Sequence, residues 1–487
     1  MARRQPPETS SDTPIQNRRG ATQLERLFNG MITAANRGGF AHASVTAVIE
    51  EARVSRKTFY EYFEDREACF VATLQHANEQ LLVAIEDAVN PAPPEAALQV
   101  TVQAIVDFAA ARPADARFLM KEALAGGPAA LDVRDGGIAE AATLVETAVK
   151  RAPEGARSPD VPAIAVIGAV HRLLAVRLRR VEHALGELRE QLTEWLASYR
   201  TDVSHHQWRA LKRLPAPQRS PYLMPPQMRP HARLGPGQQR LRKEQISENH
   251  RERIMFATAR AVQEHGYTAT TVAIIMKLAA LDSRSFYRLF SDRADAFTAI
   301  HEVGFQYLMS ATAGAFFAGD AWPDRVWEGF RAATQSIDDT PTFAHVGFVE
   351  AYAVGQVSIQ RVEDSRIAFT VFLQEGYRCR DASKPAPSRL ALEAIIATIF
   401  EIIYLKARSS QTPKAASLLG HLVHVALVPF VGVEATNDFL RTKSRGAPQS
   451  ALKASRRGLR AVAADPKLEV DPRPVDDPQE IRRSSRA

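Results

Sequence analysis

Apolar side chains recur with helical spacing along most of this chain. Between Thr22 and Arg37 one face carries Leu24, Leu27, Phe28, Met31, Ile32 and Ala35. Gly38-Gly39 should end that helix, and a long helix is expected from about Arg66 to Val89. Further helices are expected at about 95–111, 115–125, 136–151, 161–183 and 184–200. Because almost no segment alternates with period two, we predict an all-α protein.

Proline and charge mark the segments between and beyond these helices. Seven prolines between residues 205 and 240 forbid a continuous helix and indicate a semi-rigid linker, after which helical spacing resumes to about Leu440. Residues 1–20 and 441–487 are polar and are expected to be disordered. The net charge is +2 over residues 1–20, +6 over 202–250 and +6 over 441–487, in a chain of +7. Such segments add salt-sensitive attraction to phosphates, although plain soluble tails and a linker explain them equally well.

Length and composition limit the class of protein. A chain of 487 residues has room for two or three domains. No apolar run reaches the roughly 18 residues of a membrane span, and no apolar segment follows the basic start as in a secretory signal. Two cysteines, Cys69 and Cys379, make no disulfide framework. We therefore expect a cytoplasmic protein without a membrane partner.

One segment of the sequence occurs twice, 227 residues apart. Residues 44–70 align without a gap on residues 271–297, and eight of the 27 pairs are identical. The identities include Phe59/Phe286, Tyr60/Tyr287, Phe63/Phe290, Asp65/Asp292 and Arg66/Arg293. A repeat that keeps aromatic and charged residues in step predicts two related domains.

The first copy has the pattern of two short helices joined by a turn. Ser44 or Thr46 is placed to cap a helix that runs to Glu51, and Ser55 to cap a second from Arg56 to Phe63. Within the second helix Phe59 and Phe63 are four residues apart, so both face inward. The outer face carries donors that suit a DNA major groove, namely Arg56, Lys57, Thr58, Tyr60 and Tyr62. Asp65 caps the next helix, whose first turn would offer Arg66 to a phosphate.

On these residues the chain resembles the tetracycline-repressor-like (TetR) family of helical transcriptional regulators, and it does so twice. The family's Gly-aromatic pair, valine-serine turn and aromatic-Tyr pair stand at Gly39-Phe40, Val54-Ser55 and Phe59-Tyr60. Their counterparts are Gly266-Tyr267, Leu281-Asp282 and Phe286-Tyr287. The resemblance implies two tandem units, each an N-terminal three-helix helix-turn-helix domain followed by a larger helical regulatory and dimerisation domain.

The resemblance implies one DNA-binding domain at residues 21–70, called the first head, and another at residues 246–297, called the second head. Regulatory domains follow at 71–201 and 298–440, and a proline-rich basic linker at 202–245 joins the two halves.

Two departures from the family pattern concern the two heads. Arg53 and Ala280 replace the usual turn glycine and, with Ile49 and Met276 at the helix crossing, predict a slightly different angle between the helices. Leu289 replaces the polar residue found at Tyr62 in the first head.

The residues expected to contact double-stranded DNA follow from both copies. In the first head they are Ser44, Thr46, Ser55, Arg56, Lys57, Thr58, Tyr60, Tyr62 and Arg66. In the second head they are Thr271, Ser283, Arg284, Ser285, Tyr287, Arg288 and Arg293.

The regulatory domains differ in aromatic content. Residues 300–380 hold thirteen aromatics, whereas residues 73–153 hold two. We expect any pocket for a small apolar or aromatic effector to lie in the second half, although aromatics are more often plain core. Its candidate lining is Phe305, Phe316, Trp327, Phe330, Phe348 and Tyr352. The family's terminal helices form dimers, which implies an intrachain pseudo-dimer or a homodimer.

Other functions find little support in the sequence. No phosphate-binding glycine loop, nucleophile motif or metal cluster occurs, so we expect neither an enzyme nor a cofactor. His421 and His424 share a helix face but lack a third ligand, which favours a buried histidine pair. The favoured function is sequence-specific transcriptional regulation, more often repression in this family. The alternative is an effector-sensing or partner-binding scaffold with degenerate DNA-binding heads.

Overall fold

The computed structural model describes residues 13–178, 185–212, 224–230, 243–354, 356–380, 386–409 and 414–445. The described residues from Thr13 to Asp438 form one compact unit, and those from Phe439 to Arg445 belong to a second. The predicted tails are described in part only, because residues 1–12 and 446–487 lie outside these ranges, as does much of the predicted linker.

The described residues up to Lys212 are mostly helical. The helices are α1 (Thr13–Gly38), α2 (Val45–Ala52), α3 (Arg56–Tyr62), α4 (Arg66–Val89), α5 (Ala97–Ala111), α6 (Pro113–Arg117), α7 (Ala123–Ala125), α8 (Pro128–Val149), α9 (Ala163–Arg177) and α10 (Leu185–Ala197). A π-helical turn, Phe118–Glu122, connects α6 to α7. Two short strands, β1 (Arg157–Pro159) and β2 (Arg200–Asp202), pair antiparallel with Ser158 opposite Thr201.

The remaining described residues are also mostly helical. The helices are α11 (Lys243–Ala269), α12 (Val272–Ala279), α13 (Ser283–Leu289), α14 (Arg293–Phe316), α15 (Trp322–Asp339), α16 (Pro341–Phe348), α17 (Gln356–Ala368), α18 (Gly376–Cys379), α19 (Arg389–Ser409), α20 (Leu419–Val431) and α21 (Val433–Arg445). The chain kinks inside α11 at Gly266, whose φ is 73°. The predicted all-α class is therefore confirmed, with the β1–β2 pair as the one departure in the described ranges; three-residue strands are too short to give a period-two signal.

The helix boundaries follow local chemistry. Pro128 opens α8 directly after Gly127, whose φ is 84°, because proline suits the first turn of a helix. This helix therefore starts eight residues before the predicted 136. Likewise α1 begins at Thr13, within the arm predicted for residues 1–20. Pro14 occupies the first turn of that helix.

The two halves pack against each other through α9 and α19. Both helices are apolar on nearly every face, and such a helix is stable only when surrounded by protein. The segment after α10 adds to this packing, since Asp160 accepts hydrogen bonds from the amides of Gln207 (2.6 Å) and Trp208 (3.1 Å). The Trp208 ring then packs on His421 of α20, with ring centroids 4.7 Å apart. The beginning of the predicted linker therefore packs on the folded unit, with Trp208 half-buried against it.

Candidate nucleic-acid interface

The first head is built from three capped helices. The Ser44 hydroxyl accepts from the Ala47 amide (3.2 Å) at the start of α2, and Ser55 accepts from the Thr58 amide (3.0 Å) at the start of α3. Asp65 caps α4 by accepting from the Ala68 amide at 2.8 Å. Each cap satisfies an amide that the first turn of a helix leaves without a partner. The caps at Ser55 and Asp65 are those expected from the sequence, and of the two alternatives for α2, Ser44 and Thr46, the cap is Ser44.

An aromatic spine orients α3. Phe59 is fully buried, and its ring centroid lies 5.7 Å from that of Phe63. The next residue, Tyr60, is 50% exposed and packs edge-on against Phe59. Arg56 lies one turn earlier, with its guanidinium 6.0 Å from the Tyr60 ring centroid. Burial of one face of α3 therefore fixes a second face, which carries a cation and an exposed tyrosine toward solvent.

The second head has the same order of caps, turn and rings. Thr271 accepts from the Ile274 amide (3.3 Å), and Asp282 accepts from the Ser285 amide (2.9 Å) at the start of α13. Phe286 is fully buried, and Tyr287 beside it is 63% exposed. The local geometry of α12–α13 thus matches that of α2–α3 element by element.

The turns between the paired helices keep the left-handed conformation without glycine. Arg53 and Ala280 both have φ 52° and ψ 48°. A side chain in this region costs about 1–2 kcal/mol per residue. An arginine from the first helix of each head supports each turn. Arg26 of α1 donates to the carbonyl of Arg53. Arg253 of α11 donates to the carbonyls of Ala279 (2.6 Å) and Ala280 (3.0 Å). The missing glycines therefore leave the left-handed turn in place and strain it. The sequence could have indicated this pair of arginines, because Arg26 and Arg253 are 227 residues apart, the same spacing as the two copies of the repeat.

Most residues proposed for DNA contact lie at the surface. Exposed in the first head are Ser44, Thr46, Ser55, Arg56, Lys57 and Tyr60, with Thr58 and Tyr62 partly exposed. Exposed in the second head are Thr271, Ser283, Arg284, Tyr287 and Arg288. Ser285 is a correction: it is 3% exposed, and its hydroxyl turns back toward the Asp282 carboxylate at 3.4 Å. Its position in the first turn of α13 directs it at the helix cap rather than outward.

The arginines expected to bind phosphate are partly buried inside their own heads. The Arg66 guanidinium stacks on Phe40 at 4.3 Å and donates to the Phe40 carbonyl. The Arg293 guanidinium stacks on Tyr267 at 4.4 Å and donates to the Tyr267 carbonyl at 3.2 Å. Both side chains hold the aromatic residue that follows the glycine, a role that the sequence reasoning did not assign to them.

A cavity of about 60 Å³ lies in the second half of the chain, within the segment predicted as its regulatory domain. Its lining includes Phe305 and Phe348, both expected there, together with Met228, His301 and Tyr307, which were not. A neighbouring cavity of about 30 Å³ is lined by Phe330. The two cavities share Leu308, Ile337, Phe348, Phe369 and Phe400.

The other aromatics expected in the pocket belong to the core. Phe316 packs on Phe372 with centroids 5.1 Å apart, Trp327 is 7% exposed, and Tyr352 donates to Glu363 at 3.2 Å; none of the three lines either cavity. In the first half, a cleft of about 590 Å³ between α4, α5 and α10 is open to solvent and has charged walls. Another first-half cleft, of about 450 Å³, has a mixed lining that includes Val145, Glu146 and Trp208. The two cavities with a mostly apolar, aromatic lining lie in the second half.

The cavity has a small number of polar groups. The Tyr307 hydroxyl is buried and makes no hydrogen bond within the described residues. Burial, reinforced by the nearby Arg361 charge, lowers the pKa of His301 to about 4, so its imidazole is neutral at physiological pH. An apolar cavity with one unpaired hydroxyl and one neutral imidazole suits a mostly apolar molecule that carries a hydrogen-bonding group.

Metal ligation and membrane insertion find no support in the described ranges. The His424 imidazole contacts the carbonyl of Asp160 and that of His421 contacts the carbonyl of Trp208, each at 3.2 Å, which makes both histidines packing residues. No set of three His, Cys, Asp or Glu side chains there is arranged around a metal-sized site. None of the helices described combines the length and apolarity that a membrane crossing requires.

One comparison with known proteins bears on the first head. Residues 33–73, from α1 into α4, match the family model of bacterial regulatory proteins of the tetR family. Similar solved structures include the fatty acid degradation regulator FadR from Bacillus halodurans, at 16% identity over 36% of this chain and 94% of that chain, with a TM-score of 0.33. A tetR-family regulatory protein from Rhodococcus RHA1 is 21% identical over 38% of this chain and 98% of that chain, with a TM-score of 0.33. The transcriptional regulator FadR from Bacillus subtilis, solved in complex with stearoyl-CoA, is 14% identical over 37% of this chain and 98% of that chain, with a TM-score of 0.32.

A search of curated proteins gave no match. The family match coincides with the capped helices, the buried spine and the exposed face of α3 described above. Residues 33–73 therefore match the tetR-family DNA-binding domain, at the segment that forms the first head.

Proposed function

We propose that this chain is a sequence-specific transcriptional repressor that reads DNA with two helix-turn-helix heads on one polypeptide. The observation that carries the proposal is the matched geometry of the two heads. Both turns have φ 52° and ψ 48°, and both short helices place an exposed tyrosine beside a buried phenylalanine. The costly left-handed turn at a non-glycine residue in each head supports a shared functional requirement.

The exposed faces of α3 and α13 offer similar chemistry in different arrangements. The first presents Arg56 and Lys57, and the second presents Arg284 and Arg288. Arginine and lysine pair with the acceptor edge of guanine in the major groove, while hydroxyls at the helix starts bind phosphates. Lys57 and Arg284 stand at equivalent helix positions, whereas Arg56 corresponds to Ser283 and Arg288 to Glu61. Because one cation of each head stands at a different position, the two heads should prefer different half-site sequences.

The packing of α9 on α19 supports an intrachain pseudo-dimer. Glu401 of α19 is fully buried and lies between Arg172 of α9 (2.5 Å) and Arg134 of α8 (3.0 Å). Gly168 of α9 lies so close to Glu401 that a Cβ there would collide with its carboxylate. A carboxylate buried between two guanidiniums is tolerated only when the charges are paired, so this cluster disfavours any other alignment of these two unlike surfaces. One chain would then present two heads to successive major grooves, about 34–36 Å apart.

The apolar cavity supports a ligand-responsive repressor. Phe348, Phe369 and Phe400 stand between the larger and smaller cavities. Rotation of these rings would join the two spaces and admit a small apolar or aromatic effector. Tyr307 and His301 would meet its polar group.

Specific features also favour the alternative, a scaffold whose heads no longer read sequence. Leu289 takes the place of a polar residue on α13, and Ser285 is buried. If this alternative holds, binding to genomic and random DNA will become equal above roughly 0.2 M salt, because only phosphate attraction remains.

Selection of bound genomic fragments by the full chain tests the proposal. We expect an imperfect palindrome with two unlike half-sites. Tyr60→Ala should weaken selection at one half-site and Tyr287→Ala at the other, since each exposed ring belongs to one head. Recovery of unchanged operators with both variants, or of no shared sequence with the parent protein, would refute it.

A further inference from the structure

Two buried glutamates connect the regulatory domains to the heads. We propose that Glu122 and Glu350 are positioning residues, each fixing its own head on its own regulatory domain, and that Glu350 transmits the state of the aromatic cavity to the second head. The consequence for DNA rests on the proposed function, whereas the positioning itself does not.

In the first half, Glu122 holds the residue after the glycine. Glu122 ends the π-helical turn and is 1% exposed. Its Oε2 accepts a hydrogen bond from the Phe40 amide at 3.0 Å. Arg66, the first residue of α4, stacks on the Phe40 ring at 4.3 Å and donates to its carbonyl. Phe40 is therefore held by its amide from the regulatory domain and by its ring and carbonyl from α4.

In the second half, Glu350 makes the equivalent contact. It is 8% exposed, and its Oε2 accepts from the Tyr267 amide at 2.8 Å. Arg293, the first residue of α14, stacks on Tyr267 and donates to its carbonyl and to that of Thr270. The same three-part arrangement of glutamate, aromatic residue and arginine thus stands at both junctions.

The repetition of this contact is informative because the surrounding sequence differs. Glu122 lies 82 residues after Phe40, and Glu350 lies 83 residues after Tyr267. Yet Glu122 follows Lys121 in a π-helical turn, whereas Glu350 follows α16. A carboxylate that accepts from a buried amide makes a short, charge-assisted bond that is stronger than a neutral one. Each acid also has a basic neighbour: Lys121 at 2.8 Å from Glu122, and His345 at 3.6 Å from Glu350.

The glycines before the aromatic residues allow the backbone conformation that both junctions share. Gly39 and Gly266 have φ of 83° and 73°, a region in which a side chain is strained. The atoms nearest to a Cβ built on either glycine are oxygens of the same glutamate, at 3.7 Å for Glu122 and 3.8 Å for Glu350. The glycine, the glutamate and the arginine therefore act together on one backbone position at the root of each head.

The second junction adjoins the aromatic cavity. The cavity is lined by Phe343, Ala344, Gly347 and Phe348, all from α16, and Glu350 follows two residues after that helix. His345, on the same helix, pairs with Glu350. An occupant that displaces α16 must therefore move the Glu350 carboxylate relative to the Tyr267 amide. In the first half, the Phe118 ring of the π-helical turn instead packs on the Phe70 ring in the core, with ring centroids 5.0 Å apart.

Hydrogen exchange of the full chain tests the positioning without DNA. Glu350→Ala should speed exchange across residues 267–290 by about tenfold or more, because a charged hydrogen bond is lost, while residues 40–63 stay unchanged. Glu122→Ala should give the reverse pattern. Glu350→Gln and Glu122→Gln keep an acceptor oxygen and should stay near the parent protein. Equal changes in both heads, or none, would overturn the proposal, because a general loss of stability does not select one head.

The cavity link needs a change that leaves Glu350 intact. A Cβ on Gly304 would meet only Phe343, at 4.0 Å, so Gly304→Leu would place a side chain in the cavity as a tethered occupant. Exchange over residues 267–290 should change in this variant and stay unchanged in Gly136→Leu, which alters an open glycine on α8. No change in Gly304→Leu would overturn the cavity link.

Half-site binding separates this proposal from the proposed function. Affinity for a selected operator is measured before and after one half-site is scrambled. In Glu350→Ala, scrambling the second half-site should no longer lower the affinity, whereas scrambling the first half-site should lower it as in the parent protein. If the parent protein itself shows no sequence preference, the proposed function fails, and the exchange patterns still decide whether the glutamates position the heads.

Discussion

Replacing Glu401 by glutamine tests whether the pairing of the two halves depends on buried charge. Glu401 is fully buried, and the side chains of its partners Arg134 and Arg172 are 1% and 3% exposed. Burial alone would raise the pKa of the Glu401 carboxyl, but the two guanidiniums outweigh it and lower that pKa. Glutamine keeps the shape and removes the charge, which leaves the buried Arg172 guanidinium without its acidic partner and leaves Arg134 paired with Asp135 alone, at 2.8 Å. Loss of one partner from such a cluster costs about 3–5 kcal/mol.

Glu393 provides a matched control on the same helix. It pairs with Arg177 of α9 at 3.4 Å, but the two side chains are 31% and 19% exposed. Glu393→Gln should therefore cost about 0–1 kcal/mol, the usual range for pairs that water can reach.

Urea denaturation of the two full-length variants measures the difference. We expect Glu401→Gln to lower the free energy of unfolding by about 3–5 kcal/mol, and Glu393→Gln by at most about 1 kcal/mol. A separate, earlier transition for one half in Glu401→Gln would report the same loss of pairing, because the halves would then unfold independently. Equal and small effects of both variants would refute the reasoning, since the buried cluster would then contribute no more than a surface pair.

Further predictions concern pH and the strained turns. The parent protein should have a larger free energy of unfolding than Glu401→Gln, and this difference should be complete above the unfolded glutamate pKa of about 4.3. The difference should decrease as pH falls through the lower folded pKa of Glu401, which denaturation at pH 7, 5 and 3.5 measures. Burial, with the Arg134 charge, lowers the pKa of His171 to about 3, so below the unfolded value of about 6.5 protonation should favour the unfolded state; His171→Gln should reduce the loss of stability between pH 6.5 and 4. Ala280→Gly should raise the free energy of unfolding by about 0.5–1 kcal/mol by relieving the left-handed strain, whereas Ala279→Gly, one residue earlier within α12, should lower it by about 1 kcal/mol.

The sequence predicts the parts of each head that depend on local chemistry. Ser55 and Asp65 are capping residues, and Phe59 and Phe63 share a helix face, because each effect acts within four residues. The same reasoning fails for Ser285, which turns back to its own helix cap. It also misses the internal role of Arg66, whose partner Phe40 lies 26 residues away.

The contacts between domains are beyond such reasoning. Glu401 finds Arg172 across 229 residues and Arg134 across 267, and nothing in the local sequence distinguishes it from a surface glutamate. Glu122 likewise sits in a π-helical turn that periodicity does not predict. Long-range charge pairs depend on which helices meet, so they become visible only in the folded chain.

The number of chains on one operator tests the central claim most directly. Native mass spectrometry of the full chain with a duplex that contains both selected half-sites gives this number in one measurement. If two heads of one polypeptide read the two half-sites, one chain will bind each duplex, and Tyr60→Ala and Tyr287→Ala will each weaken that complex. Two chains on each duplex, with either tyrosine variant binding as well as the parent protein, would contradict the claim.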